Sequence, residues 1–182
     1  AGHGTCQPNG TPVVAVAYNE ETGRWQSNSE CFRQPEYLKD RQASSLWSAD
    51  RTWLGTPIDT PAAVRRSALF PAFEADAMTA MIEHEPIGQD DVPDLVFLNY
   101  KPADYVGHRY GPDSKELRVT MAEMDRHLAR ILAAFEAKAG KNHLIAVTAD
   151  HGMPSVPPER RHTGVAVVDL LNQKFDPDGK QL

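Results

Sequence analysis

Two short clusters in the sequence carry the residue types that bind divalent metal ions. Asp104 and His108 stand four positions apart, and Asp150, His151 and Gly152 are consecutive. Carboxylate oxygen and neutral imidazole nitrogen are usual ligands of zinc and similar ions. A spacing of four is about one helical turn, so on a helix Asp104 and His108 share a face. Asp150 and His151 are neighbours, so their side chains converge only where a strand ends and the chain turns. Gly152 supplies the backbone freedom for that turn. Two such pairs could hold two ions about 4 Å apart, an arrangement that activates a nucleophile and stabilises a leaving oxygen in in-line phosphoryl transfer. Either pair alone has a plain structural alternative, because Asp also caps helices and His also packs. Their joint occurrence at two successive strand ends is what points to a metal site.

The elements that must position these pairs can be read from periodicity. Asp94 to Tyr100 is a short apolar run with a polar start, and its length favours a buried strand. From 113 to 139, Leu117, Met121, Met124, Leu128, Leu132 and Phe135 recur at steps of three and four, the stripe of a long amphipathic helix. Asp113 with Glu116 forms a capping pattern, Ser114 is a second candidate cap, and Gly140 is placed to stop the helix. Leu144 to Thr148 is another apolar strand. Strand, loop, helix and strand over 95–148 predict a right-handed βαβ crossover. The expected fold class is therefore α/β, with a mostly parallel sheet flanked by helices. In such sheets ligands bind just beyond the carboxyl ends of the strands, where Asp104, His108, Asp150 and His151 fall. One domain is expected, with a loop-rich N-terminal lobe over 1–60 and the core over 61–182. The lobe should contain a hairpin from Val13–Tyr18 to Arg24–Ser27. Further helices are expected over 72–84 and 164–174.

Composition removes several classes of function. The chain has 182 residues, 41% hydrophobic and 24% charged, with a net charge of −6. That balance is ordinary for a globular protein and opposes a nucleic-acid surface, for which Arg65-Arg66 and Arg160-Arg161 are too sparse. No apolar run reaches the roughly 18 residues of a membrane span. Cys6 and Cys31 are the only cysteines; they read equally as one disulfide or as two small apolar residues. Lys101 and Arg109, beside the first pair, could meet phosphate or be solvated. Trp25, Trp47 and Trp53 could line a cleft in the lobe, or pack it.

The segment Asp104-Tyr105-Val106-Gly107-His108-Arg109-Tyr110-Gly111-Pro112-Asp113-Ser114 resembles the D-x-x-G-H-x-x-G-P-x-S motif of the type I phosphodiesterase/nucleotide pyrophosphatase branch of the alkaline phosphatase superfamily. Thr148-Ala149-Asp150-His151-Gly152-Met153 resembles its second metal motif, and Ala1-Gly2-His3 with Thr22-Gly23-Arg24-Trp25 resembles an earlier stretch. The resemblance implies an alkaline-phosphatase-like fold, two zinc ions, a small-molecule phosphoester substrate and a covalent phosphoenzyme. Asp104 and His108 would bind one zinc together with a later histidine, for which His162 is a candidate. Asp150 and His151 would bind the other, with an early aspartate and a Thr or Ser nucleophile. In the family those last two lie upstream of the Ala-Gly-His stretch, so no catalytic residue is assigned within this chain. The expectation is an interior portion of a longer metallohydrolase, inactive alone, from a periplasmic or secreted enzyme. The competing reading is a non-catalytic α/β binding module without metal.

Overall fold

A run of apolar and small residues from Phe70 to His84 can be helical only if it is covered on more than one side. In the computed structural model, which describes residues 13–155 and 164–175, this segment is the central helix of the unit formed by Ala1–Asp150. In chain order the elements of that unit are β1 (Ala17–Asn19), β2 (Arg24–Gln26), β3 (Thr52–Trp53), β4 (Thr56–Pro57), α1 (Pro61–Arg65), α2 (Phe70–His84), α3 (Pro102–Tyr110) and α4 (Lys115–Ala139). Short 3-10 turns lie at Glu36–Leu38 and Ala43–Leu46. The unit His151–Leu182 contains α5 (Gly164–Phe175), on which Val168, Leu170 and Leu171 are exposed.

Helix α2 buries Phe70, Phe73, Ala75, Ala77, Met78, Ala80 and Ile82. Apolar character around most of the circumference marks a buried helix, and here two different covers meet it. The N-terminal lobe supplies Tyr18, Trp25, Ala43, Leu46 and Trp47 against Phe70 and Phe73. Helix α4 supplies Ile131, Ala134 and Phe135 against Ala75, Met78 and Ile82. The Trp25 ring stacks on Phe73 with centroids 5.2 Å apart, and Tyr18 meets Phe70 edge-on at 4.8 Å. Trp25 and Trp47 are thus packing residues. Two charged contacts pin α4 to α2. Arg130 lies 2.5 Å from Asp76, and Lys138 Nζ donates to the Glu83 carbonyl at 3.0 Å.

The lobe begins with the expected hairpin, in which β1 pairs antiparallel with β2 and Tyr18 faces Trp25. Its strands are shorter than the apolar run suggests. Asn19 Oδ1 closes the turn by accepting from the Glu21 and Thr22 amides at 2.8 and 2.9 Å. Gly23 completes it at φ +69°, where an added Cβ would stand 3.1 Å from the Pro61 ring. Left-handed backbone and close approach both require glycine here. A second antiparallel pair joins β3 to β4. Cys31 is disulfide-bonded; Cys6 lies outside the described residues.

The long helix appears where the stripe predicted it. Ser114 is its cap, accepting from the Leu117 amide at 3.1 Å, and Gly140 follows its end at φ +65°. The expected parallel sheet is not seen among the described residues. Among the described residues the only sheets are the pairs β1–β2 and β3–β4, and neither 94–100 nor 144–148 belongs to one. The first segment nevertheless keeps the alternation of a strand. Val96 and Leu98 pack on the α2–α4 core, while Leu95 and Phe97 are 92% and 81% exposed. Residues 144–149 are exposed throughout. A continuous apolar run implies burial on both faces, but it does not name the neighbour that must complete the ladder. Among the described residues none does, so α2 and α4 cover one face of 94–100 and the other is open. No helix among the described residues is long and apolar enough to cross a membrane.

Candidate metal-binding site

Helix α3 carries the first pair. Pro102 occupies its opening turn, where the missing amide is no loss. Val106 is fully buried and Gly107 is buried beside it, which turns the opposite face outward. Asp104 lies in the first turn, where the helix dipole favours a carboxylate, and His108 lies in the last. The expected shared face is observed: His108 Nε2 stands 3.2 Å from Asp104 Oδ1. The Asp104 side chain is largely covered, whereas His108 is exposed.

Lys101 links this pair to the second cluster. Its ammonium lies 2.9 Å from Asp150 Oδ2 and 3.8 Å from Asp104 Oδ2. The ends of two segments distant in sequence, 94–101 and 144–150, are thereby brought together on one positive charge. The hydrogen bond to Asp150 holds the ammonium above the ordinary lysine range, Asp104 adds to the effect, and Arg65 opposes it. Asp104, His108 and Asp150 therefore form one contiguous polar cluster. His151 opens the second unit; it is exposed, with Nδ1 2.8 Å from the Gly152 carbonyl oxygen. His162, the candidate later ligand, lies outside the described residues.

Two further residues frame this cluster. Arg65 lies over the Tyr105 ring, 3.7 Å from its centroid, and is hydrogen-bonded to the Tyr105 hydroxyl and paired with Glu20. A groove of about 820 Å³ runs along α2 between residues 13–18 and 94–99, and Lys101, Tyr105, Arg65 and Glu74 line it. Glu74 is only 7% exposed. Burial pushes its carboxyl up to about 8, against the pull of Arg65, so it is predominantly neutral at pH 7. From the sequence, Lys101 reads as a phosphate contact or a solvated lysine, and Arg65 as part of a sparse basic pair. A lysine ending a strand-like run was the available signal for the first, but its partners come from tertiary structure. Glu74 stands two residues before Asp76 on the same helix, and which of the two acids is buried follows only once the covers of that helix are known.

The donor chemistry suits a divalent cation. Two carboxylates face one ammonium, which is itself a stand-in cation, and an imidazole flanks the first of them. Among the described residues no three His, Cys, Asp or Glu side chains stand close enough to hold an ion as a group. The arrangement therefore fits the chemistry of a metal site without forming a closed set of ligands.

Comparisons with known proteins agree with the motif assignment. The chain is 28% identical over 176 residues to alkaline phosphatase PhoD of Zymomonas mobilis, a match covering 92% of this chain and 30% of that protein. It is 38% identical over 111 residues to alkaline phosphatase PafA of Elizabethkingia meningoseptica, covering 54% of this chain and 20% of the relative. It is 40% identical over 68 residues to human ectonucleotide pyrophosphatase/phosphodiesterase family member 7, covering 35% and 14% respectively. The chain thus spans less than a third of the length of these relatives. No solved structure matches it. The model of the type I phosphodiesterase/nucleotide pyrophosphatase family matches residues 6–178, nearly the whole chain and both acidic–histidine clusters, and the protein belongs to that family, whose alkaline-phosphatase-like architecture implies an α/β fold.

Proposed function

We propose that this chain is part of a metal-dependent phosphoester hydrolase, in which Asp104 and His108 bind one zinc ion and Asp150 and His151 contribute to a second. The observation that carries the reading is the convergence of Asp104 and Asp150 on a single positive charge at the ends of two separate segments. Family membership supports the reaction class, and the alkaline phosphatases PhoD and PafA support a phosphoester substrate. When bound, such ions polarise phosphoryl oxygens and neutralise charge on the attacking and leaving oxygens. The residues of this chain have simpler tasks. Asp104, fixed in the first turn of α3, presents a carboxylate that its helix holds in place. His108, one turn later, presents its imidazole to the same point. Asp150 brings the opposing carboxylate from the other segment. The nucleophile and the early aspartate are supplied from outside the chain in this reading. The disulfide at Cys31 supports an oxidising compartment, in keeping with a periplasmic or secreted enzyme.

Zinc titration followed by calorimetry tests the assignment. The wild-type chain should take up zinc, and Asp104→Ala and Asp150→Ala should each weaken uptake by tenfold or more. The wild-type chain should not turn over p-nitrophenyl phosphate or its diester. Identical heats for wild type and both variants would instead favour a metal-free binding module, and robust turnover would refute the external nucleophile.

A further inference from the structure

We propose that Lys101 is a resident counterion of the metal site: its ammonium holds the Asp104 and Asp150 carboxylates together in the metal-free protein, and an incoming divalent cation displaces it. This inference rests on the metal-site reading of the same cluster. Asp104 and Asp150 belong to segments that no strand pairing joins among the described residues. Two carboxylates brought together at such ends repel each other unless a positive charge lies between them. Lys101 supplies that charge, at 2.9 Å from one carboxylate and 3.8 Å from the other.

Lysine is suited to such an exchange. An ammonium is a compact, strongly hydrated charge on a flexible four-carbon stem. It forms no fixed fork with either carboxylate, and here its side chain keeps 28% of its surface exposed. It can therefore leave for water, or swing along the groove it already lines, without disturbing buried packing. Divalent ions, one at each carboxylate in that reading, offer more charge than the ammonium and direct coordination. Lysine and metal thus compete for the same carboxylates, and metal affinity is lowered by whatever the two lysine contacts contribute. Partly exposed ion pairs are individually weak, so the competition should amount to about a five- to tenfold penalty.

The test uses the full chain and zinc chloride in two measurements. In calorimetry, Lys101→Met should bind zinc about five- to tenfold more tightly than wild type, and Lys101→Arg should restore the weaker binding. In the second, wild-type lysines are acetylated briefly with and without saturating zinc and quantified by peptide mass spectrometry. Modification of Lys101 should rise several-fold with zinc, while that of the distant, exposed Lys39 stays constant. If Lys101→Met binds zinc no more tightly than wild type while Asp150→Asn still weakens binding, the counterion role is wrong and the metal site stands. If neither wild type nor Lys101→Met takes up zinc, the metal-site reading falls and the counterion with it. Should Lys101→Met fail to fold, the acetylation experiment on wild type decides: unchanged Lys101 reactivity at saturating zinc overturns the proposal.

Discussion

Glu74 shows how one carboxyl ties stability to pH. Its folded-state value, about 8, lies above the ordinary value of 4.5, so the native chain binds this proton more tightly than the unfolded chain does. Between roughly pH 4.5 and 8 the unfolded state therefore releases it first, and stability falls as pH rises through that window. Glu74→Gln should flatten that part of the profile and raise stability at pH 8 relative to wild type, measured by urea denaturation at pH 5, 6.5 and 8. Gly23 makes a second prediction at this scale. Its positive φ and the nearby Pro61 ring mean that Gly23→Ala should cost about 1–2 kcal/mol, seen as a lower melting temperature. The pairing of Asp104 with His108 was legible because a spacing of four on a helix needs no knowledge of the rest of the chain. The meeting of Lys101 with Asp150 was not, since no local rule links residues 49 positions apart.

Among the elements, helices were read more reliably than strands, for a physical reason. The bonds of α4 lie within the helix itself, and its stripe, cap and stop are all encoded locally. Ser114→Ala removes the hydroxyl that accepts the Leu117 amide and should cost about 1 kcal/mol, measured as a reduced urea midpoint with an unchanged slope. Strands are completed by partners elsewhere. The run 94–100 has the alternation and the apolar content of a strand, and α2 and α4 do cover one of its faces. The sequence of that run contains nothing that identifies the strand beside it, which is why the expected parallel sheet is not observed among the described residues.

At the scale of the molecule, family membership and the α/β class agree with the resemblance carried by the two motifs, and the net charge of the chain is −6. The open face is the main departure. Leu95, Phe97, Leu144 and Val147 are each more than three-quarters exposed, so large apolar side chains meet water at both segments. The isolated chain should therefore enhance the fluorescence of an apolar dye such as ANS. Leu95→Ser combined with Phe97→Ser should reduce that enhancement severalfold while leaving the far-ultraviolet helix signal intact.

The stack of Arg65 on Tyr105, with Glu20 gripping the same guanidinium, has a mechanical consequence. Tyr105 immediately follows Asp104, so the hairpin turn, α1 and the start of α3 are braced by one strut. Damage at Glu20 would loosen the brace at its far anchor and let the aspartate swing. On the proposed metal reading, a lesion in the irregular lobe should then register as poorer ion uptake before it registers as unfolding.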